Sequence, residues 1–165
     1  MSRIALAGLL LAASLATAAA DNSATPSNVV ADYHPSLGDL MTMAVQPRHA
    51  KLALAARRGN WVYAAYELSE LRNALARVGR TVPVYRSADM PALIDALTRA
   101  PLAALEQAIQ AQDAHAFDAG YAQLTAACNA CHASQEHAMV VIRTPRADAY
   151  PDQDFAPPRH TNAGR

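Results

Sequence analysis

The chain has 165 residues, 14 Lys and Arg against 14 Asp and Glu, and two cysteines, Cys128 and Cys131. That length suits one domain, and the even charge excludes a basic field for nucleic acid. Two cysteines set two residues apart cannot staple distant elements, which excludes the disulfide-dense scaffolds of small exported proteins.

Residues 1–20 carry one Arg, an apolar stretch and small residues before Asp21. This is the pattern of a secretory signal peptide cut after Ala20. Its apolar core is shorter than the roughly 20 residues that span a bilayer. No later segment is long and apolar enough, so the expected product is a soluble, exported (periplasmic) protein without a membrane span. Removing the leader takes away one Arg and no acid, leaving a formal charge of −1. Residues 21–34 are polar, contain Pro26, and read as a flexible leader.

Alanine and leucine dominate the rest, with little strand-like alternation, so the expected fold class is all-α. A first helix should start near Pro35 or Ser36. It should place Leu37, Met41, Ala44, Val45, Leu52 and Ala55 on one face and stop at Gly59. Pro47 should kink or restart it. Asn60 should cap a second helix, with Trp61, Ala65, Leu68, Leu71, Leu75 and Val78 inward and Gly79 as its stop. Glu67, Glu70 and Arg72 read as its wet face, and Trp61, Tyr63 and Tyr66 as packing at its start. Thr81–Ala88 reads as a loop. Asp89 should cap a third helix kinked at Pro101, with Leu93, Ile94, Leu97, Ala104, Leu105, Ala108 and Ile109 inward. Asp113 should cap a fourth, with Phe117, Tyr121, Leu124 and Cys128 on its inner stripe. Four amphipathic segments with mostly short links predict an antiparallel four-helix bundle over residues 35–140. Residues 141–165, rich in proline, read as an extended tail.

The residues Cys128-Asn129-Ala130-Cys131-His132 form C-x-x-C-H, the attachment pattern of a covalent c-type haem. On a helix, positions i, i+3 and i+4 share a face. Two thiols then reach the two vinyl groups on one macrocycle edge, and the next residue brings its imidazole under the iron as an axial ligand. A thioredoxin-like thiol pair would need a βαβ context that is missing here. A zinc site would need two more close ligands.

The helical pattern with Cys128, Cys131 and His132 late in the last helix resembles the class II c-type cytochromes, the cytochrome c-prime type, over roughly residues 35–138. The chain is also similar to a group of exported bacterial monohaem proteins. Those carry stretches like Leu37-Gly38-Asp39-Leu40-Met41, Gln46 to Leu52 and Asp152 to Pro157. The resemblance implies one covalent haem c on Cys128 and Cys131 and His132 as proximal iron ligand. It also implies a redox partner protein, and it allows a homodimer. Two departures stand out. Thirty-three residues follow His132, and Ala133-Ser134-Gln135-Glu136 lacks the basic residue usual after the motif.

In class II cytochromes the first helix crosses the distal face of the haem. With Leu37 at zero and about 100° per residue, Met41 falls at about 40°, the centre of the apolar face. Arg48 falls at about 20° and is a candidate partner for a haem propionate. His49 falls at about 120°, on the shoulder, and Met43 lies opposite. The sixth iron position therefore stays open between Met41, His49 and a vacant site. The other histidines, His34, His115, His137 and His160, read as solvated. The expected function is electron transfer by a monohaem cytochrome. The alternative is a five-coordinate protein binding nitric oxide or carbon monoxide. No catalytic constellation is visible beyond the motif, so an enzyme is not expected.

Overall fold

The structure is a computed structural model that describes residues 33–146 and 150–158. The expected signal peptide, nearly all of the leader, and the chain end with His160 lie outside the described residues. The described residues from His34 onward belong to a single compact unit. The described part is mostly helical, with one two-stranded ribbon.

Helix α1 has three consecutive parts: α-helical Leu37–Leu40, π-helical Met41–Val45 and α-helical Gln46–Arg57. Ser36 caps it through a reciprocal box with Asp39, which satisfies otherwise orphaned amide donors. As expected of a restart, Pro47 lies in the first turn of the last α-helical part, directly after the π-helical stretch. Its ring would crowd the carbonyl four residues back, and it has no N–H to give. The chain answers with a wide turn just before it, closed by the Gln46 amide on the Met41 carbonyl. Such a turn takes in one extra residue, which turns everything beyond it by about 100°.

Helix α2, Trp61–Thr81, starts on the Asn60 side chain. It does not stop at Gly79. That glycine is instead where α2 approaches its neighbour, because a Cβ there would lie 3.3 Å from Pro91. Strands β1, Val84–Tyr85, and β2, Ala88–Asp89, pair antiparallel where a loop was expected. Asp89 caps α3, Met90–Ala111, which is continuous through the buried Pro101. Asp113 caps α4, Ala114–Ser134.

All four helices feed one core, with Leu52, Leu71, Val78, Leu105, Tyr121 and Leu124 almost fully enclosed. Among the expected inward positions, Ala65 is exposed, and Ala64 takes the core place. Glu67, read as part of the wet face, is fully buried. Two turns from the start of α2, it receives the Arg48 guanidinium at 3.3–3.4 Å. A buried carboxylate needs such partners to offset its desolvation.

Of the expected tail, the described residues 150–156 pack onto the fold. Phe155 is 3% exposed and joins the core. It sits against Tyr63 and Tyr150, and Tyr63 also stacks on Tyr66. Gln153 donates to the Tyr63 hydroxyl, and the Asn60 amide donates to the Ala156 carbonyl. The Lys51 ammonium lies over the Tyr150 ring. A single buried aromatic and a few hydrogen bonds thus order a stretch that composition alone marks as coil.

Candidate functional site

Cys128, Cys131 and His132 occupy the last two turns of α4. Together with α1, α2, α3 and the chain after α4 they line a cleft of about 120 Å³. Its walls are largely hydrocarbon: Met41 and Val45 from α1, Leu75 from α2, Ile94 and Leu97 from α3, and Val140 and Ile142 from the chain after α4. Thr42, Gln46, Thr98 and His49 add polar atoms. A mostly apolar concavity with a few fixed polar groups is the usual form of a cofactor site.

The cysteines are unbridged. Burial pushes the Cys128 thiol up to about 11, with the neighbouring Cys131 adding to the effect. Burial also raises the Cys131 thiol. Both sit at the negative end of the helix dipole, which further disfavours a thiolate. This is the reverse of the lowered thiol pKa that thiol–disulfide enzymes require. The pair is two protonated thiols one helical turn apart on the wall of an apolar cleft. Among the described residues no group of three or more His, Cys, Asp or Glu side chains could hold a metal ion by themselves. A metal here would have to bring most of its own ligands.

His132 is half-buried, and its Nδ1 lies 2.8 Å from the Val140 carbonyl oxygen. A carbonyl only accepts, so Nδ1 carries a proton, and in the neutral ring the lone pair is on Nε2. A backbone carbonyl on the far ring nitrogen is the usual means of orienting a metal-binding imidazole. Val140 is brought there by a turn after α4. Glu136 takes a left-handed conformation, with φ 61°. The His137 amide bonds the His132 carbonyl at 2.7 Å, and the Val140 amide bonds the His137 carbonyl at 2.8 Å. Asn129, inside the motif, pairs both ways with Ile142. Its amide nitrogen donates to the Ile142 carbonyl at 2.9 Å, and its oxygen accepts from the Ile142 amide at 2.7 Å. Sequence reasoning missed Asn129, Val140 and Ile142. An Asn between two motif cysteines was the one visible signal.

Across the cleft, the wide turn in α1 resets the angular positions. Met41 precedes the shift and remains on the apolar side, where it is half-buried and lines the cleft. Met43 is exposed, as its phase predicts. His49 moves from about 120° to about 20°, and Arg48 from about 20° to about −80°, once about 100° is subtracted. His49 is accordingly 5% exposed, not an exposed histidine among cations. Arg48 does not line the cleft and is turned toward Glu67 and Glu70 on α2.

Both ring nitrogens of His49 are engaged. The Tyr121 hydroxyl donates to the His49 carbonyl at 2.8 Å. Its oxygen therefore accepts from His49 Nδ1, at 2.9 Å. Nε2 is then the acceptor for the Thr125 hydroxyl at 3.1 Å. Burial lowers the ring's pKa to about 4, so it is held neutral. Tyr121, whose own ionisation is pushed far up by burial, lies tilted against the ring with centroids 4.6 Å apart. Of the remaining histidines, His34 and His115 are exposed. His137 is half-buried, with its Nε2 3.5 Å from the Tyr85 hydroxyl.

A scan of protein-family models and searches of curated proteins and solved structures find no match to this chain. No described helix is long and apolar enough to cross a membrane.

Proposed function

We propose that this chain is an exported monohaem c-type cytochrome of the class II type, an antiparallel four-helix bundle that carries electrons. One haem is held by thioethers to Cys128 and Cys131, with His132 as the axial iron ligand. One observation carries this reading. The two thiols and an imidazole with its Nε2 lone pair free lie together on the wall of an apolar cleft. The residues fit the group. Protonated thiols suit addition to vinyl carbons, the apolar walls suit a macrocycle, and a neutral imidazole is a strong ligand to haem iron. The haem supplies one-electron chemistry at its iron.

The protein's own residues orient the axial imidazole, exclude water from the cleft, and present a candidate sixth ligand from α1. Met41 is that candidate. Its thioether faces the cleft, whereas His49 would have to give up the Thr125 hydroxyl to offer Nε2. The redox partner is another protein, met at the exposed edge of the motif.

The test is denaturing gel electrophoresis of exported protein followed by a haem stain, with intact mass. Haem that stays on the polypeptide, and is lost on Cys128→Ser with Cys131→Ser, is expected. Haem that washes off, or two free thiols in the mature protein, would refute the reading. Spin state then assigns the sixth position. A low-spin ferric spectrum supports electron transfer, and a high-spin spectrum transfers the proposal to nitric oxide or carbon monoxide binding.

A further inference from the structure

We propose that Asn129 is a positioning residue for the axial ligand, acting through the His137–Ile142 segment; this rests on His132 binding the iron. The segment runs back beside the motif and is pinned at both ends. At its start the His137 amide holds the His132 carbonyl. At its far end Asn129 pairs with the N–H and C=O of Ile142 together, the only side chain among the described residues to bond that backbone. A side-chain amide offers one donor and one acceptor in the same plane, so it substitutes for a neighbouring backbone strand.

Between the two pins hangs the Val140 carbonyl, and it is this oxygen that takes the His132 Nδ1 proton. Val140 is itself nearly half exposed. Its side chain is held on one side only, so its carbonyl is placed by the His137–Val140 turn together with the two pins. Removing the Asn129 amide frees the far pin. Water then competes for Nδ1–H, and the imidazole becomes a less basic ligand. A less basic ligand stabilises ferric iron less, and the reduction potential rises. The residue between the attachment cysteines thus sets the electronic character of the ligand that follows them.

The experiment compares haem-loaded wild type with Asn129→Ala, which removes no thioether and no ligand. Two readouts are used: exchange of the His132 Nδ1–H proton with water, followed by NMR in the reduced state, and the reduction potential. The expected result is exchange at least tenfold faster and a raised potential, with haem still covalent. A merely structural role for Asn129 would lower the melting temperature and leave both readouts where they were, and that result overturns the proposal. If Asn129→Ala yields too little haem-loaded protein, Asn129→Ser, whose hydroxyl cannot span both groups of Ile142, breaks the same pair and is read in the same way. Wild-type His132 ring signals without the shifts of a haem-bound imidazole would overturn both this inference and the axial role of His132. Unchanged exchange and potential in the variants, with normal His132 shifts in wild type, overturn this inference alone.

Discussion

The neutral, buried His49 makes stability depend on pH in a calculable way. In the unfolded chain its imidazole takes a proton near 6.5, but in the folded protein burial delays protonation to about 4. Between those values the unfolded state binds the extra proton, so stability falls as pH falls. The contribution is fully present above pH 6.5 and is lost on descending toward pH 4. A shift of this size is worth about 3 kcal/mol in total, of which about 2 kcal/mol is lost between pH 7 and 4.5.

The assay is urea unfolding of wild type and His49→Phe across that range, reported as the difference between them. Phenylalanine keeps a ring against Tyr121 and cannot titrate. It leaves the Thr125 hydroxyl without its acceptor, costing about 1–2 kcal/mol at pH 7. The deficit should shrink by about 2 kcal/mol at pH 4.5. A deficit constant to within roughly 0.5 kcal/mol across the range would refute a buried neutral His49. Carboxylates titrate in both proteins and cancel in the difference.

Met41→Ala should turn a low-spin ferric protein high-spin, speed carbon monoxide binding in the reduced state, and cost about 2 kcal/mol, the low end for a half-buried methionine; an unchanged spectrum would reject thioether ligation. Arg48→Met strips the partner from the buried Glu67 carboxylate and should cost about 3 kcal/mol in chemical unfolding. The potential should stay in place if that ion pair, rather than a propionate, is the work of Arg48. Phe155→Ala should cost about 3 kcal/mol and expose the final segment to proteolysis without altering the haem spectrum. A stability unchanged by that substitution would show that the docked tail contributes nothing to the fold.

The sequence by itself determined what depends on near neighbours along the chain. Asn60, Asp89 and Asp113 announce helix starts because a capping side chain bonds amides two or three residues away. The leucines of α2 and α3 mark their buried faces through the helical repeat. The cysteines and His132 share a face because of their spacing alone. Tertiary structure decided the rest. Pro47 read locally as a kink or a restart and does open a new α-helical part, but the wide turn that precedes it has no local signal. That turn carried His49 into the core and Arg48 toward Glu67, two residues whose angles had been counted on an unbroken helix. Gly79 looked like a helix stop and is a close contact with Pro91, which lies 12 residues further on. The tail gave no periodic signal, since its order comes from Phe155, Tyr150 and scattered hydrogen bonds. The wall beside His132 was equally invisible, because Asn129 and Ile142 are 13 residues apart. Their pairing uses the backbone of Ile142, which carries no trace in the identity of its side chain.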